Sequence, residues 1–472
     1  MNKTLLTFVL FLTGFTVSAQ KSSQPNIIII LADDLGWGDV GFHGSEIKTP
    51  NLDKLSREGV ILNRYYVSPI CSPTRAGLMT GRYPDRFGLR QNVIAPWLNF
   101  GVDTTEEFLP QMLAQAGYKN RAALGKWHLG HAKRVYLPLS RGFTHFYGHY
   151  NGAIDYFTHE REGELDWHND WATSYDKGYS TDLITNEAGN CIKKDKKDGP
   201  FFLYVAFNAP HAPLQAKEED LKLYGYDPLK PKFGGVEGEG GDDATKGRGN
   251  TKRQTYSAMV TAMDRGIGKI LETLKNEGLE KNTLVLFHSD NGAEPAQGGT
   301  SGELRGHKFQ EWDGGVRAPA IIKWPDGFKG GRILEQLTGY TDIAPTLREI
   351  AEVKSAPPKK YDGISILPAL KNDHKNIERS TYLGYGSIIN GGWKLVKANS
   401  GNPKMELKED MVFDILKDPS EKNNIRGSNQ SQYEKLSAEA EEYDAIKPSS
   451  KVPPFGQGRK TFKAPKNWEI KD

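Results

Sequence analysis

Residues 26–31 read Asn-Ile-Ile-Ile-Ile-Leu and decide the fold class, because they form a short, continuous apolar run rich in β-branched residues. Such a run is typical of a strand that is buried on both faces in a parallel sheet. Similar runs lie at residues 201–207 and 284–287, with a weaker run at residues 121–124. We therefore predict four strands that belong to one sheet.

Helical patterns separate these runs. Residues 110–116 carry Pro near the start and are followed by Gly117, which is typical of a helix that begins and ends there. In residues 255–274, apolar side chains repeat on one face and charged side chains lie on the other. The alternation of strands and helices predicts an α/β fold, with helices covering a mostly parallel sheet.

The length and charge of the chain limit the classes of protein that fit. A chain of 472 residues allows one large α/β domain with a smaller appendage. Lys and Arg number 62 against 59 Asp and Glu, so the net charge does not indicate a nucleic-acid-binding protein. An anionic partner must then be recognised by a local pocket. The chain has 2 cysteines, Cys71 and Cys191, for which a disulfide is one interpretation.

Composition changes mark the predicted domain boundaries. We predict a large α/β domain over residues 20–355 and a small α+β domain over residues 356–472. The second prediction rests on short strand patterns at residues 393–396 and 411–415 and on a helical pattern at residues 432–443. Residues 234–250 are rich in Gly and charge and cannot bury enough apolar surface to fold alone, so a surface loop is favoured over a lid.

The N-terminus has the pattern of a signal peptide, which we predict over residues 1–19. Lys3 precedes an apolar run, and the small residues Ser18 and Ala19 precede a cleavage point before Gln20. The run is short for a membrane span, and no Cys lies near the cleavage point to carry a lipid. We expect an exported protein, periplasmic or secreted, without a membrane anchor.

Polar residues follow each of the four predicted strands. They are Asp33-Asp34, Gly125-Lys126-Trp127-His128, Asn208 to Pro213 with His211 among them, and His288-Ser289-Asp290-Asn291. Ligands of open α/β sheets bind at the carboxyl ends of the strands, so these groups are expected to meet at one edge.

Four of these residues form an all-oxygen set that suits a hard cation. Asp33, Asp34 and Asp290 supply carboxylates and Asn291 supplies an amide oxygen, which are ligands that Ca²⁺ or Mg²⁺ prefers. No His pair at helical spacing lies within this set, which argues against zinc here. By themselves, Asp33 and Asp34 could instead cap a helix. Together with Asp290 and Asn291 they favour a metal site.

Cys71 opens the motif Cys71-Ser72-Pro73-Thr74-Arg75, which is followed by Leu78-Met79-Thr80-Gly81-Arg82. This stretch resembles the maturation motif of the formylglycine-dependent (type I) sulfatases, Cys-x-Pro-x-Arg followed by Leu-x-Thr-Gly-Arg. Further segments resemble the same family, and the resemblance covers essentially all of the mature chain. These segments are residues 31–39, 125–130, 289–292, 304–308, 314–317 and 413–424.

The resemblance implies an alkaline-phosphatase-like α/β fold and a sulfuric ester hydrolase with one Ca²⁺ per chain. It implies that a maturation enzyme oxidises Cys71 to formylglycine (3-oxoalanine), whose hydrate attacks sulfur and later expels sulfate. It assigns the calcium to Asp33, Asp34, Asp290 and Asn291 together with the modified residue 71.

The same resemblance gives roles to five further residues. Arg75 steadies the formylglycine hydroxyl, and Lys126 and Lys308 neutralise charge on the sulfuryl group. His128 serves as the base for elimination, and His211 as the acid that protonates the leaving alcohol. The family often has Gly where this chain has His307 beside Lys308. The roles of His43, His131, His288 and Trp312 stay open.

Two other functions compete with this interpretation. One is a phosphate or phosphonate ester hydrolase of the same architecture, which would need additional Asp or His ligands for a second metal. The other is a secreted glycan-binding protein in which Cys71 stays a thiol or pairs with Cys191.

For the substrate, a sulfated polysaccharide such as ulvan or carrageenan is favoured. Residues 36–43 and 71–88 look closest to the arylsulfatase B type, which makes an N-acetylgalactosamine-4-sulfatase-like activity on glycosaminoglycan the alternative. The aromatic residues of 143–156, with Trp167 and Trp171, could stack on sugars or form core.

Overall fold

The computed structural model describes residues 24–90, 92–234, 245–372 and 376–470. The predicted signal peptide and most of the Gly-rich segment lie outside these residues. Within them, the strands are β1 Asn26–Ala32, β2 Val60–Leu62, β3 Tyr65–Tyr66, β4 Asn120–Lys126, β5 His145–His149, β6 Glu160–Arg161, β7 Glu164–Leu165, β8 His168–Asn169, β9 Ala172–Thr173, β10 Phe201–Ala206, β11 Thr283–Ser289, β12 Ala320–Lys323, β13 Arg332–Leu334, β14 Thr338–Gly339, β15 Ser380–Gly384, β16 Ser387–Asn390, β17 Trp393–Val396 and β18 Met411–Asp414.

The helices of the same residues separate and cover these strands. They are α1 Pro50–Glu58, α2 Cys71–Thr80, α3 Leu109–Gln115, α4 Ser180–Asp195, α5 Glu218–Lys222, α6 Lys252–Asn276, α7 Asp313–Val316, α8 Ile343–Ile350, α9 Leu367–Lys371 and α10 Gln430–Asp444. Among the described residues, we find no helix with the length and apolar content that a membrane crossing requires.

One large sheet organises the fold in the order β13-β2-β12-β11-β1-β10-β4-β5-β8-β9. Its centre is parallel: β1 pairs with β10 and β11, β10 with β4, and β4 with β5. The flanking strands β12 and β8 are antiparallel to their neighbours β11 and β5. The α/β fold with a mostly parallel sheet is therefore confirmed, and the antiparallel strands lie on either side of its centre.

Strand β1 shows why the sheet needs helices on both faces. Ile27, Ile29 and Leu31 point into one apolar core, whereas Ile28 and Ile30 point into the core on the opposite face. All five side chains are 0% exposed. Burial of each such side chain stabilises the fold by roughly 1.5–3 kcal/mol, so the isoleucine run is stable only when both faces are covered.

The small C-terminal sheet is antiparallel, with the order β15-β16-β17-β18. Helix α10 covers it by packing Leu436 and Ala440 against Ile388, Leu395 and Val412. This agrees with the small α+β unit expected from the sequence. The boundary at residue 355 stays a prediction.

Candidate active site

The carboxyl ends of four neighbouring parallel strands form the site. In the order β11-β1-β10-β4, these strands are followed by or end at Asp290, Asp33, Asn208 and Lys126. Backbone hydrogen bonds join the ends of neighbouring strands: Asp290 N donates to Ala32 O at 3.1 Å, and Asp33 N donates to Ala209 O at 3.1 Å. The parallel register thus converts four distant sequence segments into one polar edge.

The carboxylates of Asp33 and Asp34 contact side chains at this edge instead of capping a helix. Lys126 Nζ donates to Asp33 Oδ2, and Lys308 Nζ donates to Asp34 Oδ2 at 2.9 Å. Asn291 Nδ2 donates to Asp34 Oδ1 at 2.8 Å. Asp34 has a positive φ of 65°, which is uncommon for a residue other than glycine.

Cys71 is the first residue of α2 and is 2% exposed. Its Sγ lies 3.4 Å from His128 Nδ1. Burial raises the pKa of the Cys71 thiol to about 12, so an unmodified thiol at this position is protonated near neutral pH and is a weak nucleophile. Cys71 and Cys191 are both free cysteines, so the disulfide interpretation does not hold.

Arg75 lies one helical turn beyond Cys71 and is fully buried. Its Nε and Nη2 lie 2.9 Å and 2.8 Å from Asp290 Oδ2, and its Nη1 donates to the backbone oxygen of Lys126 at 3.2 Å. Burial would lower the pKa of this guanidinium, but Tyr204, Asp290 and Asp33 raise it above its usual value. Arg75 therefore fixes Asp290 and the end of β4 relative to the start of α2.

His128 has a positive φ of 57° and lies against the backbone of a neighbouring turn. A Cβ added at Gly152 would approach the His128 ring to 2.5 Å, so glycine is needed at that position. Burial, followed by the charge of Lys126, lowers the pKa of His128 well below its usual value. Burial therefore favours the neutral form of the ring, which has a free nitrogen lone pair to accept a proton.

His211 reaches the same edge from the segment after β10. Its Nδ1 lies 2.6 Å from the carbonyl oxygen of Ala212, so Nδ1 carries a proton and Nε2 faces Asp34 Oδ2 at 3.7 Å. Burial opposes the charged form, but Asp33 and Asp34 raise the pKa of His211 above its usual value. The arrangement favours a second proton at Nε2, which faces the site.

The donor set fits a hard cation. The side-chain oxygens Asp33 Oδ1 and Asn291 Oδ1 are buried and have no hydrogen-bond donor among the described residues. Ligand atoms of Asp33, Cys71 and Asp290 lie within 4.8 Å of one another, as do those of Asp33, Asp34 and His211. Buried oxygens left without donors at such spacing are the ligands that a Ca²⁺-type ion takes.

The structure adds His149, which the sequence interpretation missed. It ends β5 in register with Lys126, is 0% exposed, and its Nε2 has no hydrogen-bond partner among the described residues. Burial lowers its pKa to about 3. The signal that could have found it is the polar residue at the end of a strand, but residues 145–149 (His-Phe-Tyr-Gly-His) are not a continuous apolar run.

The residues whose roles were open lie mostly in packed surroundings. His288 is 0% exposed and packs on Tyr65, with ring centroids 5.0 Å apart. His43 stacks on Trp37 at 3.7 Å, and the guanidinium of Arg305 lies 3.6 Å over the Trp312 ring. His307 does not keep Lys308 from Asp34. Of the two tryptophans that could stack on sugars, Trp167 is core at 0% exposed, whereas Trp171 is 45% exposed.

Comparison with known proteins identifies relatives over most of the chain. The sulfatase family model matches residues 25–353, and the model described as N-sulphoglucosamine sulphohydrolase, C-terminal, matches residues 307–444. Arylsulfatase J of Mus musculus is 35% identical over 384 residues, which are 79% of this chain and 60% of that protein. N-acetylgalactosamine-6-sulfatase of Rattus norvegicus is 33% identical, over 79% of this chain and 70% of that protein.

Among solved structures, a similar one is the crystal structure of Ps i-CgsB in complex with k-i-k-neocarrahexaose. It has a TM-score of 0.79 and 32% identity, and the match covers 93% of this chain and 97% of that chain. The match therefore includes both the large sheet and the small C-terminal sheet.

Proposed function

This chain belongs to the sulfatase family of sulfuric ester hydrolases, and we propose that it removes sulfate esters from a sulfated polysaccharide or its oligosaccharides. The observation that carries the proposal is the buried edge at which three carboxylates, Asn291 and three cationic side chains surround Cys71. A sulfate ester is an anion, and a site that combines a cation-binding oxygen set with Lys and Arg suits it.

We further propose that Cys71 is oxidised to formylglycine and that one Ca²⁺ is held by Asp33, Asp34, Asp290, Asn291 and residue 71. The aldehyde hydrate supplies a nucleophilic hydroxyl together with a second hydroxyl, which allows the sulfate to leave. The cation, when bound, supplies Lewis-acid chemistry at a sulfate oxygen. The buried oxygens of Asp33 and Asn291 that lack donors support this assignment.

The surrounding side chains then bind charge and move protons. Lys126 contacts Asp33 and Lys308 contacts Asp34, so each carboxylate of the pair has its own cation. His128, neutral and 3.4 Å from Cys71 Sγ, accepts a proton from the hydroxyl of residue 71. His211 holds a proton at Nε2 and donates it to the leaving alcohol. Arg75 positions Asp290 through two short contacts.

The substrate class is proposed from the structural relative. The crystal structure of Ps i-CgsB contains k-i-k-neocarrahexaose and aligns with 93% of this chain at 32% identity. We therefore favour a carrageenan-type oligosaccharide, with ulvan as a further polymer of the same kind. The names of the mammalian relatives keep sulfated N-acetylgalactosamine as the alternative sugar. We also propose that the protein is exported, to the periplasm or beyond.

A phosphate or phosphonate ester hydrolase is the competing activity. Two-metal enzymes of that kind need a second set of Asp and His ligands beside the first. In the described part of the chain, the metal-competent groups at this edge all share Asp33, which supports a single ion.

Matched 4-nitrophenyl sulfate and 4-nitrophenyl phosphate test this choice. We expect the sulfate ester to be hydrolysed with the higher kcat/KM. A preference for the phosphate ester would refute the proposed function. A panel of sulfated carrageenan, ulvan and glycosaminoglycan oligosaccharides, with released sulfate as the readout, then identifies the sugar.

A further inference from the structure

The last described segment of the chain returns from the small sheet to the large domain. It begins after α10, at a point where both matched family models have ended. Ser449 N donates to Arg86 O at 2.8 Å, and Ser450 Oγ donates to Phe87 O at 3.0 Å. Trp468 is 1% exposed and donates its Nε1 to Arg161 O at 3.0 Å. Residues 447–470, here called the C-terminal segment, are thus anchored at both ends on the large domain.

The C-terminal segment lies beside the candidate active site. The Trp468 ring packs edge-on against the His131 ring, with centroids 5.4 Å apart. His131 lies three residues after His128 in the sequence, a separation that spans at most about 10 Å of extended chain. A second loop, which begins at Ile94, lines the same cavity as the C-terminal segment. Ile94 N donates at 3.3 Å to Oγ of Ser72, the neighbour of Cys71. The loop that follows Ile94 and the segment around Trp468 therefore flank the site together.

A cavity of about 650 Å³ lies between that loop, His131 and the C-terminal segment. Its walls include Trp97, Phe462 and Trp468 as well as Lys466. A volume of this size accommodates one or two sugar rings. Trp97 and Phe462 are half-buried, so their rings can stack on the apolar faces of sugars, whereas Trp468 is 1% exposed and serves as a packed wall. The ammonium group of Lys466 suits a sulfate substituent.

The charge of the C-terminal segment differs from that of the whole chain. The full sequence has 62 basic and 59 acidic residues, whereas the C-terminal segment has six basic residues and one acidic residue, Glu469, which also lines the cavity. Its basic residues are all exposed: they are Lys447, Lys451, Arg459, Lys460, Lys463 and Lys466. Exposed Lys133 and Arg134 continue the positive surface on the other side of His131. A surface on which positive charge predominates attracts and orients a polyanion.

We propose that the C-terminal segment, together with the cavity that Trp97 and His131 line, is a binding surface for the sulfated sugars that neighbour the reacting sugar. The proposal rests on the proposed function, because it takes a sulfated polysaccharide as the ligand. The surface binds the chain and sets the preference for polymeric over small substrates, while the bond is broken at residue 71. Phe455, which is 44% exposed, extends the aromatic part of the surface.

The test compares two triple variants that remove the same charge from opposite edges of the sheet. One is K460Q/K463Q/K466Q in the C-terminal segment. The matched control is K193Q/K194Q/K197Q at the end of α4, which leads into the amino end of β10. All six lysines are exposed, so neither variant removes a core contact. The substrates are a sulfated carrageenan hexasaccharide and 4-nitrophenyl sulfate.

We expect the C-terminal variant to lose about tenfold in kcat/KM on the hexasaccharide through KM, with a weaker dependence on salt, since each exposed charge pair contributes modestly. Its kcat/KM on 4-nitrophenyl sulfate stays within about twofold of wild type, as does the control on both substrates. Equal loss in the two triple variants, or none in either, would overturn the proposal.

A binding measurement separates this proposal from the proposed function. Titration calorimetry of the hexasaccharide uses the Cys71→Ala protein with and without K460Q/K463Q/K466Q, so it does not require turnover. Binding that weakens about tenfold supports the surface, and unchanged binding contradicts it. Absence of 4-nitrophenyl sulfate hydrolysis by the wild-type protein contradicts the sulfatase chemistry instead, whatever the calorimetry gives.

Discussion

Two buried charge clusters of this protein use the same residue types and differ in what they leave unpaired. The first surrounds Cys71 at the carboxyl edge of the large sheet. The second joins α7 to the small sheet through Asp313, Lys394 and Glu421, each 0% exposed. Lys394 Nζ lies 2.7 Å from Asp313 Oδ1 and 2.8 Å from Glu421 Oε1. Tyr66 OH donates to Asp313 Oδ2 at 3.0 Å, and Asp313 N donates to Glu421 Oε2 at 2.7 Å.

Each of the four carboxylate oxygens of the second cluster therefore has a cation or a hydrogen-bond donor within 3.0 Å. In the first cluster, Asp33 Oδ1 and Asn291 Oδ1 have no hydrogen-bond donor among the described residues, and the guanidinium Nη2 of Arg75 lies 3.7 Å from Asp33 Oδ1, beyond hydrogen-bond distance. A closed cluster holds two parts of a fold together, whereas an open one retains oxygens for a cation. The comparison teaches that burial of charge does not by itself identify an active site. Whether each carboxylate or amide oxygen has a hydrogen-bond donor or a nearby cation is the more informative observation.

Cys71→Ala should give the largest effect. If the open cluster acts on a sulfate ester through residue 71, kcat should fall by at least about 10⁴-fold, because no other side chain replaces a covalent nucleophile. Hydrolysis of 4-nitrophenyl sulfate measures it. Cys191→Ala is the matched control, since Cys191 lies on α4 and is also buried, and it should keep wild-type kcat. A Cys71→Ala enzyme with more than about 1% activity would contradict the account.

Lys394→Met should show that the closed cluster is structural. Removal of this cation leaves Asp313 and Glu421 buried without their partner, and such a loss costs about 3–5 kcal/mol of folding free energy. Chemical denaturation measures the stability. The folded fraction should keep kcat within about twofold of wild type. A large fall in kcat with unchanged stability would mean that the second cluster takes part in the reaction.

These clusters also show which buried contacts can be predicted from the sequence. The residues Asp33, Asp34, Lys126, His211 and Asp290 were predicted to meet because each follows a buried strand, and the structure brings them together. The pairing of Asp313 with Lys394 and Glu421 spans 81 and 108 positions, and no strand pattern connects them. Such contacts depend on which elements lie next to each other in the folded protein, and local sequence patterns do not reveal that arrangement.

The same limit applies within the large sheet. The four central strands were predicted because burial on both faces requires continuous apolar runs. Strand β5 was missed, because His145 and Gly148 interrupt its apolar pattern, and with it His149 was missed. The helix over residues 255–274 was found because its periodic apolar face extends over most of α6.

Calcium should stabilise the protein through the open cluster alone. At about 100 times its Kd, a ligand that binds only the folded state adds about 2.7 kcal/mol of stability. Thermal unfolding with calcium and with a chelator measures this difference. Asn291→Ala should lose the calcium-dependent stabilisation, whereas Asp313→Asn should keep it although its own stability is lower. Calcium stabilisation that survives Asn291→Ala would place the ion elsewhere.

The pH dependence of the closed cluster should give the smallest effect. Burial raises the pKa of Glu421 from 4.5 to about 7, so the folded state binds a proton more tightly than the unfolded state. This contribution to stability is complete below pH 4.5 and is lost as the pH rises through about 7. Denaturant unfolding between these pH values should show the loss, and Glu421→Gln should reduce it. An unchanged slope in the variant would assign the pH dependence to other groups.

The central claim is that residue 71 in the open cluster is a modified cysteine. Mass spectrometry of the tryptic peptide of residues 65–75, from protein purified from its native host, tests this claim most directly. The account predicts an aldehyde, detected as formylglycine or its hydrate, in place of the thiol. An unmodified thiol in every copy of an enzyme that still hydrolyses sulfate esters would contradict it.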